Sequence, residues 1–334
     1  MRAPDRHTTM PTDTASLVTA ATAGDESAFA QLSARHRREL QVHCYRMLGS
    51  FEEAEDMVQE TFLRAWRKRE TYAGRASFRA WLYRIATNAC LDRLERAPRE
   101  IPADADPASV FEVPWLQPIP DSVLDDDPHA TVTARETIEL AFIVAIQHLP
   151  PQSRAAFILR DVLDWSAKDT AAALEISVPA ANSALQRARE TLRDRLPEQR
   201  AAWPAGTDAT AAERQLLQEY MAASERGDGQ ALIATIRRDA RWAMPPETLS
   251  VVGNREMLAS WEQGGFGTDK MGPMRCVVTR ANRQPAIACY IQRPGDDAFR
   301  PLALDVLRIE DGLVAEILSF APPAFAAFDL PETA

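Results

Sequence analysis

The 334-residue sequence has few of the features that mark secreted, metal-binding or membrane proteins. Its four cysteines, Cys44, Cys90, Cys276 and Cys289, form no CxxC pair, so neither a disulfide framework nor a cysteine-based zinc site is indicated. No apolar run approaches about 18 residues, and the N-terminus lacks the apolar core of a signal peptide. We therefore expect a cytoplasmic protein without membrane, metal or cofactor, and leave open whether Met1 or Met10 is the true start.

Basic residues are also scarce: 38 Lys and Arg stand against 48 Asp and Glu, a net charge of −10. This balance argues against a simple basic nucleic-acid binder. Hydrophobic residues make up 46% of the chain, which argues against global disorder, and a length of 334 residues is enough for two or three domains. The charge is uneven, however, because residues 62–99 contain ten basic and three acidic side chains.

Two breaks in the helical pattern divide the chain. Residues 100–127 hold eight acids, no base and five prolines, so we expect a linker that buries little, and a plain solvated tether is the alternative. A second break falls near Pro197 to Thr210. The predicted parts are a disordered N-terminus (1–14), a helical module (15–99), an acidic Pro-rich linker (100–130), a second helical module (131–198), a short linker (199–210) and a C-terminal domain (211–330).

The first module contains a helix through FEEAEDMVQETFLRAWRK. Its acids gather at the start and its bases at the end, as the helix dipole prefers. The 3-4 spacing of the apolar residues predicts a buried stripe. That stripe consists of Ala54, Met57, Val58, Phe62, Leu63 and Trp66.

In the next segment, residues 71–96, aromatic residues alternate with arginines. Flat aromatic faces stack on unpaired bases and arginines attract the backbone, so the mixture suits single-stranded nucleic acid. The alternative is that the aromatics are the core of a helical bundle.

These two stretches, DMVQETFLRAWR and FRAWLYRIATNACLD, resemble region 2 of an extracytoplasmic-function (ECF) sigma factor of the sigma-70 superfamily. The resemblance implies that the first helix binds the β′ clamp helices of core RNA polymerase through Asp56, Gln59, Glu60 and Arg64. The β subunit of the polymerase is a further expected partner. The following loop and helix then capture and melt the promoter −10 element. The residues implied for −10 DNA are Tyr72, Arg75, Phe78, Trp81, Arg84, Asn88 and Arg93.

Two short helices joined by Glu175-Ile176-Ser177 in the second module fit a helix-turn-helix, with a plain helical bundle as the alternative. Val178, Ala181, Leu185, Ala188 and Leu192 form the predicted inward stripe of the second helix. The string LPPQSRAAFILRDVLDWS…SVPAANSALQRARETL resembles ECF region 4. The residues implied for −35 DNA are Asn182, Ser183, Gln186, Arg187 and Arg189. Glu175 departs from the glycine common in this turn, and Lys168-Asp169-Thr170 replaces an acidic pair.

The C-terminal residues predict two helices broken at Gly227-Asp228, a short strand, a third helix and four strands, hence an α+β domain. The pattern resembles the SnoaL-like polyketide-cyclase superfamily, whose cone encloses a pocket. Candidate pocket residues are Tyr220, Trp242, Trp261, Tyr290 and Asp305. Both faces of the Asp305 strand are apolar, so its direction stays open, and the domain has no histidine.

We therefore expect a multidomain protein with two all-α sigma modules and an α+β SnoaL-like cone domain. The implied function is an ECF sigma factor, not an enzyme, that binds core RNA polymerase and promoter DNA. The C-terminal domain is expected to modulate activity in cis, by interdomain docking or through an unknown small ligand. The alternative is a SnoaL-like cyclase or isomerase fused to a DNA-binding module. We also hypothesise that the acidic linker, including Asp125, Asp126 and Asp127, imitates a nucleic-acid backbone in the polymerase channel.

Overall fold

The computed structural model describes residues 12–74, 76–99, 113–124, 138–195, 210–247 and 250–334. Twelve α-helices occur in these ranges. They are α1 (Thr12–Thr22), α2 (Glu26–Leu48), α3 (Phe51–Arg67), α4 (Phe78–Arg96), α5 (Asp121–Leu124), α6 (Leu140–Gln147), α7 (Pro151–Phe157), α8 (Ala167–Ala173), α9 (Val178–Arg195), α10 (Ala211–Glu225), α11 (Gly229–Ala234) and α12 (Asn254–Gln263). Within the described ranges, no helix has the length and apolar character that a membrane crossing requires.

Helices α1 to α4 form the N-terminal module, and side-chain caps fix where they begin. Asp25, Ser50 and Ser77 accept hydrogen bonds from the backbone N–H groups of α2, α3 and α4. Gly49 ends α2 with a left-handed φ of 70°, which lets α3 start two residues later. The expected disordered N-terminus lies mostly outside the described residues, and Thr12 to Thr14 already belong to α1.

The buried stripe of α3 is confirmed at Ala54 and Val58, and Met57, Phe62 and Trp66 are partly buried. The prediction is wrong for Leu63, which is 51% exposed. It lies on the outer side of the helix, in line with exposed Gln59 and Arg67.

Residues 113–124, here called the connector, are packed into the protein core. The expectation that the acidic linker buries little is therefore wrong for this part of it. Val113, Leu116, Ile119 and Leu124 are buried in the same core as the two helical modules. The carboxylate of Asp121 is buried with them. Apolar residues between the prolines therefore provide a packing surface that the overall composition conceals. Asp125, Asp126 and Asp127 lie outside the described residues.

The second module comprises α6 to α9, and α7 continues into a π-helical turn at Ile158–Val162. Its buried Arg154 donates to the carbonyl groups of Ile146, Gln147 and Leu149, and also to that of Met47 in α2. Burial lowers the pKa of Arg154 to about 9. These bonds satisfy carbonyl groups at the ends of α6 and α2, so one side chain ties the two modules together.

The C-terminal domain has the predicted order of elements with one strand more: α10 and α11, then two strands where one was predicted, then α12 and four strands. Its six strands are β1 (Ile236–Ala243), β2 (Ser250–Val252), β3 (Met274–Ala281), β4 (Gln284–Ile291), β5 (Arg300–Glu310) and β6 (Leu313–Phe320). They form one sheet in the order β2-β1-β6-β5-β4-β3, with β1 and β6 parallel and the other pairs antiparallel. A 3₁₀ helix, Pro322–Phe328, follows β6.

Both faces of this sheet are covered. Ile287 and Leu307 on one face pack with Leu217 and the other core residues of the helices α10 to α12. Leu304 and Val306 on the other face belong to the core shared with the helical modules and the connector. The double coverage explains why both faces of β5 are apolar, and it places Asp305 on the side of the domain's own helices.

Candidate functional site

The outer side of α3 is an exposed stripe of five residues, called here the α3 stripe: Glu52, Asp56, Gln59, Leu63 and Arg67. Two of the four residues implied for polymerase binding, Asp56 and Gln59, lie on it. The other two, Glu60 and Arg64, lie at its side and are bonded to each other at 2.6 Å. Arg64 also donates to Asp92 of α4 at 2.5 Å, so it connects α3 to α4.

Three aromatic residues form a cluster at the start of α4. The ring centroids of Tyr72 and Trp81 are 5.3 Å apart, and Phe78 lies 5.6 Å from Tyr72 and 5.4 Å from Trp81. Phe78 is buried, which corrects its expected place against DNA: it supports the other two rings from below. Arg75, also implied for −10 DNA, lies outside the described residues.

Tyr72, Trp81, Arg84 and Asn88 line one wall of a cavity of about 940 Å³. The structure thus brings together four of the residues implied for the −10 element. Arg93 is not among them, because it donates to Glu53 of α3 at 3.0 Å.

The opposite wall of this cavity comes from the helix-turn-helix. Asp164, Trp165 and Asp169 belong to it, and so does Glu175 in the turn between α8 and α9. The Glu175 carboxylate accepts a hydrogen bond from Arg84 at 2.9 Å. The backbone of Glu175 has a φ of 56°, in the left-handed region where glycine is favoured. The second module therefore lies over the predicted −10 surface of the first.

Sequence reasoning missed this acidic and aromatic wall. The one signal for it was the departure of Glu175 from the glycine common in this turn.

The recognition helix α9 presents its polar side outward. Asn182, Ser183, Gln186 and Arg187 are exposed as expected. Arg189 is also exposed, but it donates twice to Asp161, at 2.7 and 2.8 Å. Of the predicted inward stripe, Ala181, Leu185, Ala188 and Leu192 are buried, whereas Val178 is 39% exposed at the first turn.

The interior of the C-terminal domain contains a hydrogen-bonded carboxylate. Asp305 accepts from Ser319 at 2.5 Å and from Tyr220 at 3.4 Å, and Ser319 accepts from the Trp242 indole at 2.9 Å. Burial raises the pKa of Asp305 to about 6. Trp261 packs on Trp242 with ring centroids 5.5 Å apart.

Tyr290 does not belong to this group, which corrects its prediction as a pocket residue. It faces the other side of the sheet, contacts Phe325 with ring centroids 5.2 Å apart, and donates to the Pro331 carbonyl at 3.0 Å. Alternation along β4 places Cys289 inside, where its sulfur lies 3.9 Å from that of Cys276 and 3.8 Å from Asp305.

Comparisons with known proteins identify the two helical modules. Residues 32–100 match the family Sigma-70 region 2, and residues 139–192 match Sigma-70, region 4. The ECF RNA polymerase sigma factor SigG of Mycobacterium tuberculosis (strain ATCC 25618 / H37Rv) is 41% identical over 313 residues, covering 89% of this chain and 82% of SigG. This chain is an ECF sigma factor.

A second relative of this sigma factor extends over the C-terminal domain. SigJ of Mycobacterium tuberculosis (strain ATCC 25618 / H37Rv) is 26% identical over 300 residues, which are 86% of this chain and 89% of SigJ. The crystal structure of Mycobacterium tuberculosis SigJ superposes with a TM-score of 0.58 at 23% identity, covering 90% of this chain and 99% of that structure. The two sigma modules followed by an α+β domain are therefore an architecture that this chain shares with SigJ.

Proposed function

We propose that this ECF sigma factor binds core RNA polymerase through the α3 stripe and contacts promoter DNA through α4 and α9. What carries the proposal is the exposure of the α3 stripe and of the polar side of α9, although the two sigma modules are packed together. Leu63 lies among polar neighbours on the stripe, where an apolar residue supplies contact area to a partner. The β′ clamp helices and the β subunit are the proposed polymerase partners.

Because the two sigma modules are packed together, the described conformation does not span both promoter elements. Promoter elements at −10 and −35 are separated by about 25 base pairs, or roughly 85 Å at 3.4 Å per pair. Region 2 and region 4 share one core and one cavity in this structure. We therefore propose that this is the conformation of the factor before it binds DNA, and that the modules separate on the polymerase.

Melting of the −10 element is proposed to use the aromatic cluster and the cationic wall beside it. Tyr72 and Trp81 offer faces on which unpaired bases stack, and Arg84 and Asn88 offer donors to the strand. These side chains face region 4 in the described conformation, so the same separation that places region 4 on the −35 element exposes them.

The C-terminal domain is proposed to modulate the factor in cis without catalysis. Tyr220, Ser319 and Cys289 surround Asp305, which supports a packed interior more than a substrate site. The opposite face of the same sheet contributes to the core shared with the connector and both sigma modules. Interdomain docking is therefore the better supported of the two expected modes. We proposed that the linker carboxylates imitate a nucleic-acid backbone. Asp121 is not one of these carboxylates, because it is bonded to Arg280 at 3.0 Å.

The direct test is transcription in vitro with core polymerase on a library of random promoter fragments. Specific transcripts that start at selected fragments, and that are lost when Gln59 and Leu63 are both replaced by alanine, would support the proposal. An absence of selected transcripts from a folded factor would contradict it. Removal of the C-terminal domain is an unsuitable test, because it would expose the apolar residues of the connector and of the shared core.

A further inference from the structure

A second cavity lies where three parts of the chain meet: the start of α3, the connector and the 3₁₀ helix after β6. Its volume is about 460 Å³, within the range of small-molecule sites. Three aromatic residues, Phe51, Trp115 and Phe320, line it, and prolines and alanines supply most of the remaining wall. It is separate from the interior around Asp305, none of whose hydrogen-bonded residues lines it.

Hydrogen bonds of Gln117 hold the connector against the start of α3 and so fix this cavity in advance. Its side-chain oxygen accepts from Ser50 Oγ at 2.8 Å and from the N–H of Glu52 at 3.0 Å. Its backbone N–H donates to the Gly49 carbonyl at 3.0 Å. Proline and alanine side chains lose no rotamer entropy on burial, so this wall costs little to order around a ligand.

The charged groups of the wall have one sign. Glu52 and Glu55 line the cavity one helical turn apart, and neither forms an ion pair with another described residue. Glu53 between them is instead neutralised by Arg93 and Arg99. No basic residue is among the described residues that line this cavity, whereas the cavity at the −10 surface includes several. Two uncompensated carboxylates therefore border an apolar and aromatic wall.

We infer that this cavity binds a small organic cation with an apolar body, of the aryl or alkyl ammonium class. Aromatic faces attract an ammonium group, and Trp115 already holds the Arg99 guanidinium 4.8 Å from its ring centroid. The prolines and alanines accommodate the apolar body, and Glu52 and Glu55 balance the charge. An anion would be repelled by these carboxylates, and a neutral hydrocarbon would desolvate them without supplying a partner. The inference does not depend on the proposed sigma function.

Calorimetric titration of the full chain with three probes tests the chemical class of the ligand. Benzyltrimethylammonium has both the charge and the apolar body, tetramethylammonium has only the charge, and benzylsulfonate has the same body with the opposite charge. We expect a Kd of roughly 0.1–1 mM for benzyltrimethylammonium and at least about fivefold weaker binding of the other two. Equal binding of benzyltrimethylammonium and benzylsulfonate would overturn the inference.

Two independent variants locate the site, so either one that folds decides the outcome. Glu52→Gln combined with Glu55→Gln should weaken benzyltrimethylammonium binding about fivefold to tenfold. Its control, which removes the same two charges at exposed positions elsewhere, is Glu95→Gln combined with Glu190→Gln.

The second variant, Ala326→Phe, fills the cavity from its exposed side and should abolish saturable binding. Ala259→Phe, at an exposed position of α12 away from this cavity, is its control. Binding by the carboxylate variant or by Ala326→Phe that matches the parent would overturn the assignment.

A segment of core polymerase is the alternative occupant, because Glu52 also belongs to the α3 stripe. In that case benzyltrimethylammonium would not bind, and Ala326→Phe would weaken polymerase affinity while Ala259→Phe would not; this result would overturn the small cation. The probe titrations need no polymerase, so cation binding and the sigma function fail separately. A factor that binds the cation but directs no transcription would retain this site and contradict the proposed polymerase and promoter contacts.

Discussion

Arg84 of α4 and Glu175 of the helix-turn-helix are bonded at 2.9 Å across the cavity between region 2 and region 4. The two residues are 91 positions apart in the chain. One belongs to the predicted −10 surface, and the other occupies a left-handed turn position with a φ of 56°. A carboxylate thus stands in the free factor where a DNA phosphate is proposed to lie in the promoter complex.

Replacement of Glu175 by glycine is expected to leave the free energy of unfolding within about 1 kcal/mol of the parent. The exposed ion pair contributes less than about 1 kcal/mol, and glycine relieves a backbone strain of similar size. The same change should tighten binding of a mixed-sequence single strand by up to about fivefold, measured by fluorescence anisotropy. Glu190→Ala, which removes an equal charge on exposed α9, is the control; equal gains in both variants would contradict a specific role for Glu175.

Replacement of Leu63 by alanine should weaken binding to core polymerase by up to about tenfold, because the variant loses apolar area that the complex would bury. Stability should change by less than about 0.5 kcal/mol, since the side chain is 51% exposed. Affinity is measured by titration of a labelled factor with core polymerase. Val278→Ala, at a residue 49% exposed on β3, is the matched control and should bind like the parent. Unchanged affinity of Leu63→Ala would contradict the polymerase role of the α3 stripe.

Arg187 and Arg189 should behave differently although both lie on α9. Loss of a phosphate contact in Arg187→Ala should reduce the slope of log affinity against log salt by about 0.9, measured with holoenzyme on a selected promoter fragment. Arg189 is bonded to Asp161, so Arg189→Ala should leave the slope unchanged and lower stability by less than about 1 kcal/mol. A larger loss of slope for Arg189→Ala would show that this ion pair opens on DNA.

Asp305 should make the stability of the C-terminal domain depend on pH. Its folded pKa of about 6 lies above the ordinary value of 3.8, so between these values the folded state holds more protons than the unfolded state. The free energy of unfolding should therefore fall as the pH rises from about 4 to 6 and then level off. Asp305→Asn removes this fall, and the difference between the two proteins should change by at most roughly 3 kcal/mol across the window.

Denaturant unfolding of both proteins at pH 4.5 and pH 7 measures this difference. The comparison between variants is needed because buried His43 acts in the opposite direction. Its pKa is lowered to about 3, mainly by burial, so it favours the folded state increasingly as the pH rises through the range below 6.5. If the free energy of unfolding changes with pH in the same way in the parent and in Asp305→Asn, the pH dependence does not come from Asp305.

The helices and their ends were predictable because the signals are local. Ser50, Ser77 and Ser166 cap helices within three residues of themselves, and the apolar spacing of α9 specifies its buried side at Ala181 and Leu185. Apolar spacing predicts burial incorrectly where an apolar side chain is exposed for contact with a partner instead of being packed in the core. Leu63 fits the 3-4 spacing of α3 but lies on the exposed stripe, because periodicity alone does not separate a core residue from an interface residue.

The sequence by itself determined two helical modules and an α+β domain after them, because apolar periodicity, caps and turn residues act over a few positions. The resemblance of their motifs then identified the helical modules as sigma regions 2 and 4. Only the tertiary structure decided what lies against each surface. In the folded chain the connector is buried although the linker around it is acidic, and Asp305 faces one side of a sheet that is covered on both faces. The fold also places Asn282 against Tyr45, and Glu175 against Arg84. Contacts between residues so far apart in the chain depend on how whole elements pack, which local spacing does not encode.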